Sequence, residues 1–337
     1  MNLYSEIIVI FLLIQFTTFK CRKLSIEPKI GKTYLNIPLS PCYKYGVYFN
    51  EFYETVMPIA NFSRHNQSIE VATFYNSGLL DDRGPEEMGQ LSYVYLQYND
   101  ISQEVDEHFR GLGILNYTTW NPIFRQNQGP LEYYYNHSIL IQKNMYSLLN
   151  DEQTKELAKL RFEFASKTVF TETLVKVKNV WPQATWGVFD YPKCNSLFNE
   201  GNNQCDKDVM EDNDRLSWLW DFEIALFPSL SIPTYFNRET KRNYINARLN
   251  EAKRIADKYI PPLNIVPHLS LNYRNDPDRF LSFVELFIIV EEIVKTNVSD
   301  NIIIWASDRN INSKERCQNY AFYLSNNLAP IIITLLN

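Results

Sequence analysis

The stretch Gly113-Ile114-Leu115-Asn116-Tyr117-Thr118-Thr119-Trp120-Asn121-Pro122-Ile123-Phe124-Arg125-Gln126-Asn127 decides the fold. Its first part completes a short β-rich run, residues 111–117, that ends in polar side chains before a turn. Similar runs occupy residues 69–75, 185–191, 225–232, 263–271 and 301–306. Helical patterns lie between several of them. Residues 151–180 carry Leu157, Leu160, Phe164, Val169, Phe170 and Leu174, and residues 237–259 carry Tyr244, Ile245, Leu249, Ala252 and Ile255. Residues 280–294 and 314–328 continue the alternation. Strands alternating with helices imply parallel βα units, and Ile302-Ile303-Ile304 has the two-faced apolar character of a buried parallel strand. The expected fold is α/β, a distorted TIM-like barrel of about seven to eight parallel strands. Sites in such barrels sit at the C-terminal ends of strands, where Asn116–Thr118, residues 189–191, Ser231 and Trp305 fall.

Working outward, several motifs occur in order. They are Tyr43-Lys44-Tyr45-Gly46-Val47-Tyr48-Phe49, Pro122-Ile123-Phe124-Arg125-Gln126-Asn127, Trp186-Gly187 with Tyr191-Pro192, Asn213-Asp214-Arg215-Leu216-Ser217-Trp218-Leu219, and Ile302-Ile303-Ile304-Trp305. From about Tyr34 to Leu336 the chain resembles the hyaluronidases, family 56 glycoside hydrolases that include the insect venom enzymes. The matching strand of that family carries an Asp where Asn116 stands and a Glu where Thr118 stands. The resemblance implies chemistry in which the substrate's own N-acetyl carbonyl is the nucleophile, the Glu protonates the departing oxygen, and the Asp holds the acetamido group. A threonine hydroxyl has no proton to give near neutral pH, and an asparagine lacks the charge that stabilises a developing cation.

The surrounding groove departs from the family as well. Phe189 and Ser231 replace tyrosines, Asn76 follows Tyr75 where an Asp is expected, and Asn121 takes the place of an Arg. The segment Pro267-His268-Leu269-Ser270-Leu271-Asn272 lacks a pair of groove tryptophans. The expected residual groove therefore comprises Tyr75, Asn76, Tyr117, Phe189, Asp190, Ser231 and Trp305, with no catalytic acid. Asp190 and Asp308 are the alternative acids near the groove, against their plainer reading as loop residues. Trp120, Arg125, Trp186, Trp218 and Asp214 read as scaffold. The four histidines lack metal-ligand spacing, and no nucleophile elbow, phosphate loop or zinc-protease motif is present. No cofactor and no metal are expected.

The chain begins with an apolar run, residues 7–16, that reads as a secretory signal peptide spanning residues 1–21. Residues 22–337 would then form a single domain, secreted and extracellular. No later run reaches the ~18 apolar residues of a membrane span. Aromatic content is 15%, with 22 Tyr and 21 Phe, which serves core filling or sugar stacking. The net charge of −6 and pI of about 5.4 argue against nucleic acid. They also make the whole surface a poor attractant for a polyanion, although a local groove can differ. Setting aside Cys21, four cysteines remain, which permit three pairings; the family resemblance implies Cys42–Cys317 and Cys194–Cys205. Sequons at Asn61, Asn66, Asn136 and Asn297 are glycosylation candidates, and a fifth at Asn116 falls on the buried strand. The expected function is that of an inactive or nearly inactive hyaluronidase-like protein with residual, weak glycosaminoglycan binding. The competing expectations are an active glycosidase using Asp190 or Asp308, and a module that recognises a protein partner.

Overall fold

The computed structural model describes residues 31–62, 71–75, 105, 107–117, 120–194, 203–222, 225–309 and 311–336. The fold is mixed α/β with mainly parallel strands. Strands β3 (Val71–Tyr75), β4 (Leu112–Asn116) and β5 (Thr185–Val188) pair in parallel, with Tyr75 opposite Asn116. Strand β1 (Lys32–Asn36) lies between β2 (Asn61–Phe62) and β11 (Asn301–Trp305), and β11 pairs in turn with β8 (His268–Ser270), all parallel. Strands β6 (Ala225–Leu226) and β7 (Asn264–Ile265) form a third parallel pair, and β9 (Asn272–Tyr273) with β10 (Asp276–Phe280) forms an antiparallel hairpin.

A closed barrel of seven to eight strands is not what these ladders make: among the described residues they form separate sheets. Proline is one cause. Pro228 and Pro267 supply no N–H, so the β6 to β8 seam survives as single bonds, with His268 N donating to Pro228 O and Leu230 N to His268 O. The β5 to β6 seam likewise reduces to the bridge between Phe189 and Phe227. Between β1 and β3 the described link is a side-chain bond, from Asn36 Nδ2 to Thr73 Oγ1 at 3.3 Å.

Strand alternation decides which side chains reach the site. On β4, Leu112 and Ile114 face an inner cluster with Ala225, Phe227, Val266 and Ile303, whereas Leu115 faces the helices. Gly113 is required on that outer face, since a Cβ there would lie 2.3 Å from Trp186 Cε3.

Helices α1 (Asn50–Val56), α2 (Glu132–Met145) and α4 (Lys207–Arg215) are shorter than helix α3 (Asp151–Val180), which begins at a capping box formed by Asn150 and Gln153. Its buried face runs through Thr154, Ala158, Phe162, Ser166, Val169, Phe170 and Val177. Leu160 and Phe164, read from sequence as part of the apolar stripe, are exposed; small polar residues such as Thr154 and Ser166 hold the packed positions instead. Helix α5 (Arg238–Ala256) starts at the Asn237 cap, and α6 (Phe283–Thr296) at a second capping box, Ser282 with Glu285. The final helical pattern divides into α7 (Lys314–Tyr323), a π-helical turn at Leu324–Leu328 and α8 (Ala329–Leu336). Pro330 explains the interruption, because it cannot donate to the preceding turn. Cystines join Cys42 to Cys317 and Cys194 to Cys205, with Cα separations of 5.5 and 5.2 Å.

Candidate active-site cleft

A cleft of about 660 Å³ opens at the C-terminal ends of β1, β3, β8 and β11. Asn36, Thr73, Ser270 and Trp305 reach it from the strands, and Ser231, Arg274, Asp308 and Arg309 from the loops beyond them. The register aligns these positions, with Asn36 beside Trp305 and Trp305 beside Ser270. The inner face continues under the neighbouring strands. Asn116 shares the inward parity of Ile114 and is buried. Phe189 N donates to Leu115 O, so Phe189 extends β5 beside it. The Phe189 ring meets His268 edge-on, with centroids 4.9 Å apart, and His268 lies 6.1 Å from Trp305.

His268 was given no role by its sequence context. The structure places it on the inner face with Ser270, buried, and with no hydrogen-bond partner at Nε2. Burial pushes its pKa down to about 4, against an opposing pull from the Asp190 charge. It is a neutral imidazole at physiological pH. The legible signal was parity: His268 and Ser270 alternate with Leu269, which faces the helical layer.

Two expected groove residues lie elsewhere. Tyr117 has the opposite parity to Asn116; its buried ring stacks on Phe170 at 4.2 Å and meets Trp120 edge-on, in the helical core. Asp190 is not an available acid. Its left-handed backbone, φ 64°, turns the carboxylate onto Arg248 and onto Lys193 Nζ, the latter at 2.9 Å. Burial alone would raise its pKa, but the Arg248 and Lys193 charges, with help from Arg274, hold it below the ordinary 3.8. A carboxylate so held does not act as general acid near neutrality. Asp308, by contrast, is exposed and lines the cleft.

Thr118 and Asn76 lie outside the described residues, and Tyr75 is placed through its backbone register alone. Residues 1–21 and Asn66 also lie outside them. Asn61 begins β2, while Asn136 on helix α2 (Glu132–Met145) and Asn297 at the end of α6 are exposed.

The loop after β4 is built by its own polar residues. Asn127, fully buried, accepts from Asn121 N at 2.8 Å and donates to Asn121 O, Ile123 O and Phe124 O. Arg125 pairs with Asp212, Trp120 is packed against Phe162 and Phe170, and Asp214 is held by Arg254 and Lys258. These residues fix the rim without touching the cleft. Among the described residues no cluster of His, Cys, Asp and Glu suits a metal ion, and no helix is long and apolar enough to cross a membrane.

Parallel strands that carry Trp305 and small polar groups to a cleft at their C-terminal ends have the site placement of α/β enzymes. The hyaluronidase family model, that of glycoside hydrolase family 56, matches residues 84–337, and the chain belongs to that family. It is 30% identical over 316 residues to the hyaluronidase of Apis mellifera, covering 89% of this chain and 82% of that one. It is 29% identical to hyaluronidase A of Vespula vulgaris, covering 92% and 98%. The crystal structure of bee venom hyaluronidase superimposes with a TM-score of 0.81 at 29% identity, covering 89% of this chain and 99% of that one. The structure of bee venom hyaluronidase in complex with a hyaluronic acid tetramer gives the same TM-score at 28% identity, covering 89% of this chain and 98% of that one.

Proposed function

We propose that this chain is an exported hyaluronidase-family protein that binds a glycosaminoglycan in its cleft and hydrolyses it very slowly or not at all. The observation that carries the reading is the site itself. An amide, Asn116, stands at the inner C-terminal end of β4, and the nearby carboxylate Asp190 is committed to Arg248 and Lys193. Loss of a general acid costs ~10²–10⁴ in rate, and here the resemblance implies loss of both members of the pair. Binding has support of another kind: Trp305 and the polar groups around it remain in the cleft, and a homologous structure is a complex with a hyaluronic acid tetramer. Export is supported by the apolar start of the chain and by the two cystines. Nothing among the described residues singles out a protein partner.

A second reading rests on Asp308, which lines the cleft and has no ion-pair partner among the described residues. One experiment addresses both. The secreted protein is given fluorescent hyaluronan oligosaccharides across acidic to neutral pH, and retention and reducing-end release are measured together. Retention without release supports the inactive binding protein. Release that disappears in Asp308→Asn replaces it with an enzyme using Asp308, and absence of both signals overturns the glycan reading.

A further inference from the structure

Resting on the glycan-binding reading above, we propose that Arg274 and Arg309 form a carboxylate clamp at the mouth of the cleft, selecting uronate-bearing saccharides over neutral ones. Both side chains line the cleft and both are exposed. Neither is in an ion pair among the described residues, and Arg274 acts on Asp190 only at a distance, whereas Arg125, Arg215, Arg242, Arg248 and Arg254 are each paired with acids. The Arg274 guanidinium lies 5.7 Å from the centroid of the Tyr244 ring, a contact that orients it without neutralising it.

The two arginines come from different segments, yet one buried amide ties those segments together. Asn272 Nδ2 donates to Pro277 O at 3.0 Å within the β9–β10 hairpin, and Asn272 Oδ1 accepts from Ser307 N at 3.0 Å in the loop after β11. Arg274 N donates to Ile232 O at 2.9 Å, and Asn275 exchanges bonds of 2.8 and 2.9 Å with Thr234. On the other arm, Arg309 N donates to Ser307 Oγ at 3.3 Å. Both prongs therefore stand on pinned backbone, which limits the ordering cost of gripping a ligand.

Among the described residues between the prongs, Asp308 is the charged one. Asn36, Thr73, Ser231 and Trp305 offer hydrogen bonds and a stacking face to any sugar, neutral or acidic. Discrimination by charge falls to the rim, where two cations face one anion in a chain of net charge −6. Guanidinium recognises a carboxylate through paired parallel N–H bonds. The rim thus offsets the chain's overall repulsion for a polyanion at the mouth of the cleft.

The test compares binding of hyaluronan oligosaccharides with chitin oligosaccharides of equal length, by titration calorimetry on the intact secreted protein at low and high salt. Wild type should prefer hyaluronan, and salt should erode the preference. Each of Arg274→Gln and Arg309→Gln should weaken hyaluronan binding by about two- to fivefold, the range of exposed ion pairs, with a smaller loss toward chitin. Asp308→Asn should strengthen hyaluronan binding, a gain that misfolding does not mimic. A double Arg variant that keeps the full preference overturns the clamp, as does a wild type that binds both sugars equally. A wild type that binds neither overturns the glycan reading itself.

Discussion

Asp190→Asn separates a structural carboxylate from a catalytic one. Arg248 is 1% exposed, donates to Cys194 O, and has its charge compensated by the carboxylate of Asp190. Lys193 adds a second buried cation on the same carboxylate. Removing one member of a buried pair leaves an uncompensated charge and costs roughly 3–5 kcal/mol. With an unfolding entropy of about 2.1 cal/mol/K per residue and 337 residues, that loss lowers Tm by roughly 4–7 °C. Differential scanning calorimetry at neutral pH measures it, and the Asp190→Asn, Arg248→Met double variant should lose less than the two single losses combined. The pH dependence has a definite sign. The folded carboxyl is held below its ordinary 3.8, so its contribution is complete above that value and is lost as pH falls through the folded value. Asp190→Asn should therefore narrow its stability deficit as the medium becomes strongly acidic. A Tm change below about 1 °C at neutral pH would refute the reasoning, since a buried pair broken at that cost shifts Tm several-fold more. If turnover also vanished, Asp190 would be the acid.

Other consequences follow from the same geometry. Restoring Asn116→Asp together with Thr118→Glu should recover little hyaluronan turnover, because Phe189 and Ser231 still stand where the family resemblance implies tyrosines and Asn121 where it implies an arginine; recovery to the rate of an active homologue would show the groove to be intact. His268, with a pKa near 4, should keep its neutral ring signals in an NMR titration from pH ~8 to ~5, where an ordinary histidine protonates. The unfolded chain takes up that proton near pH ~6.5, so this residue's contribution to stability declines as pH falls from there toward about 4. Replacing the cystine that closes 275 residues should cost roughly 5–6 kcal/mol on chain entropy, against roughly 3 for the one closing 11, measured as separate Cys→Ser pairs. A smaller penalty for the long loop would place the effect outside chain entropy.

Much of the architecture was legible because it rests on local chemistry. The 30-residue helix α3 was marked by spaced apolar residues across 151–180, and the parallel strands were marked by short apolar runs between helical patterns. Parity was the underused signal. Asn116 and Tyr117 are adjacent in sequence, yet the pleat sends one to the inner face and the other to the Phe170 stack. The fate of Asp190 was illegible for a different reason. Arg248 lies 58 residues away on α5, and no local pattern announces that their side chains meet. The exposure of Leu160 and Phe164 was equally hidden, since a helical repeat fixes spacing but not which stripe a neighbouring helix covers.

An amide at Asn116, where the family resemblance implies a carboxylate, is physically compatible with the fold. An ionised carboxylate on the buried inner face carries a desolvation cost that an amide at Asn116 avoids. Asp190, a carboxylate near that face, has two cations to hold it. The surrounding scaffold depends on other contacts, such as the Asn127 amide within its loop and the Gly113 to Trp186 packing on the opposite face. Neither reaches the cleft. These contacts hold the strand and the loop without drawing on the side chain of Asn116.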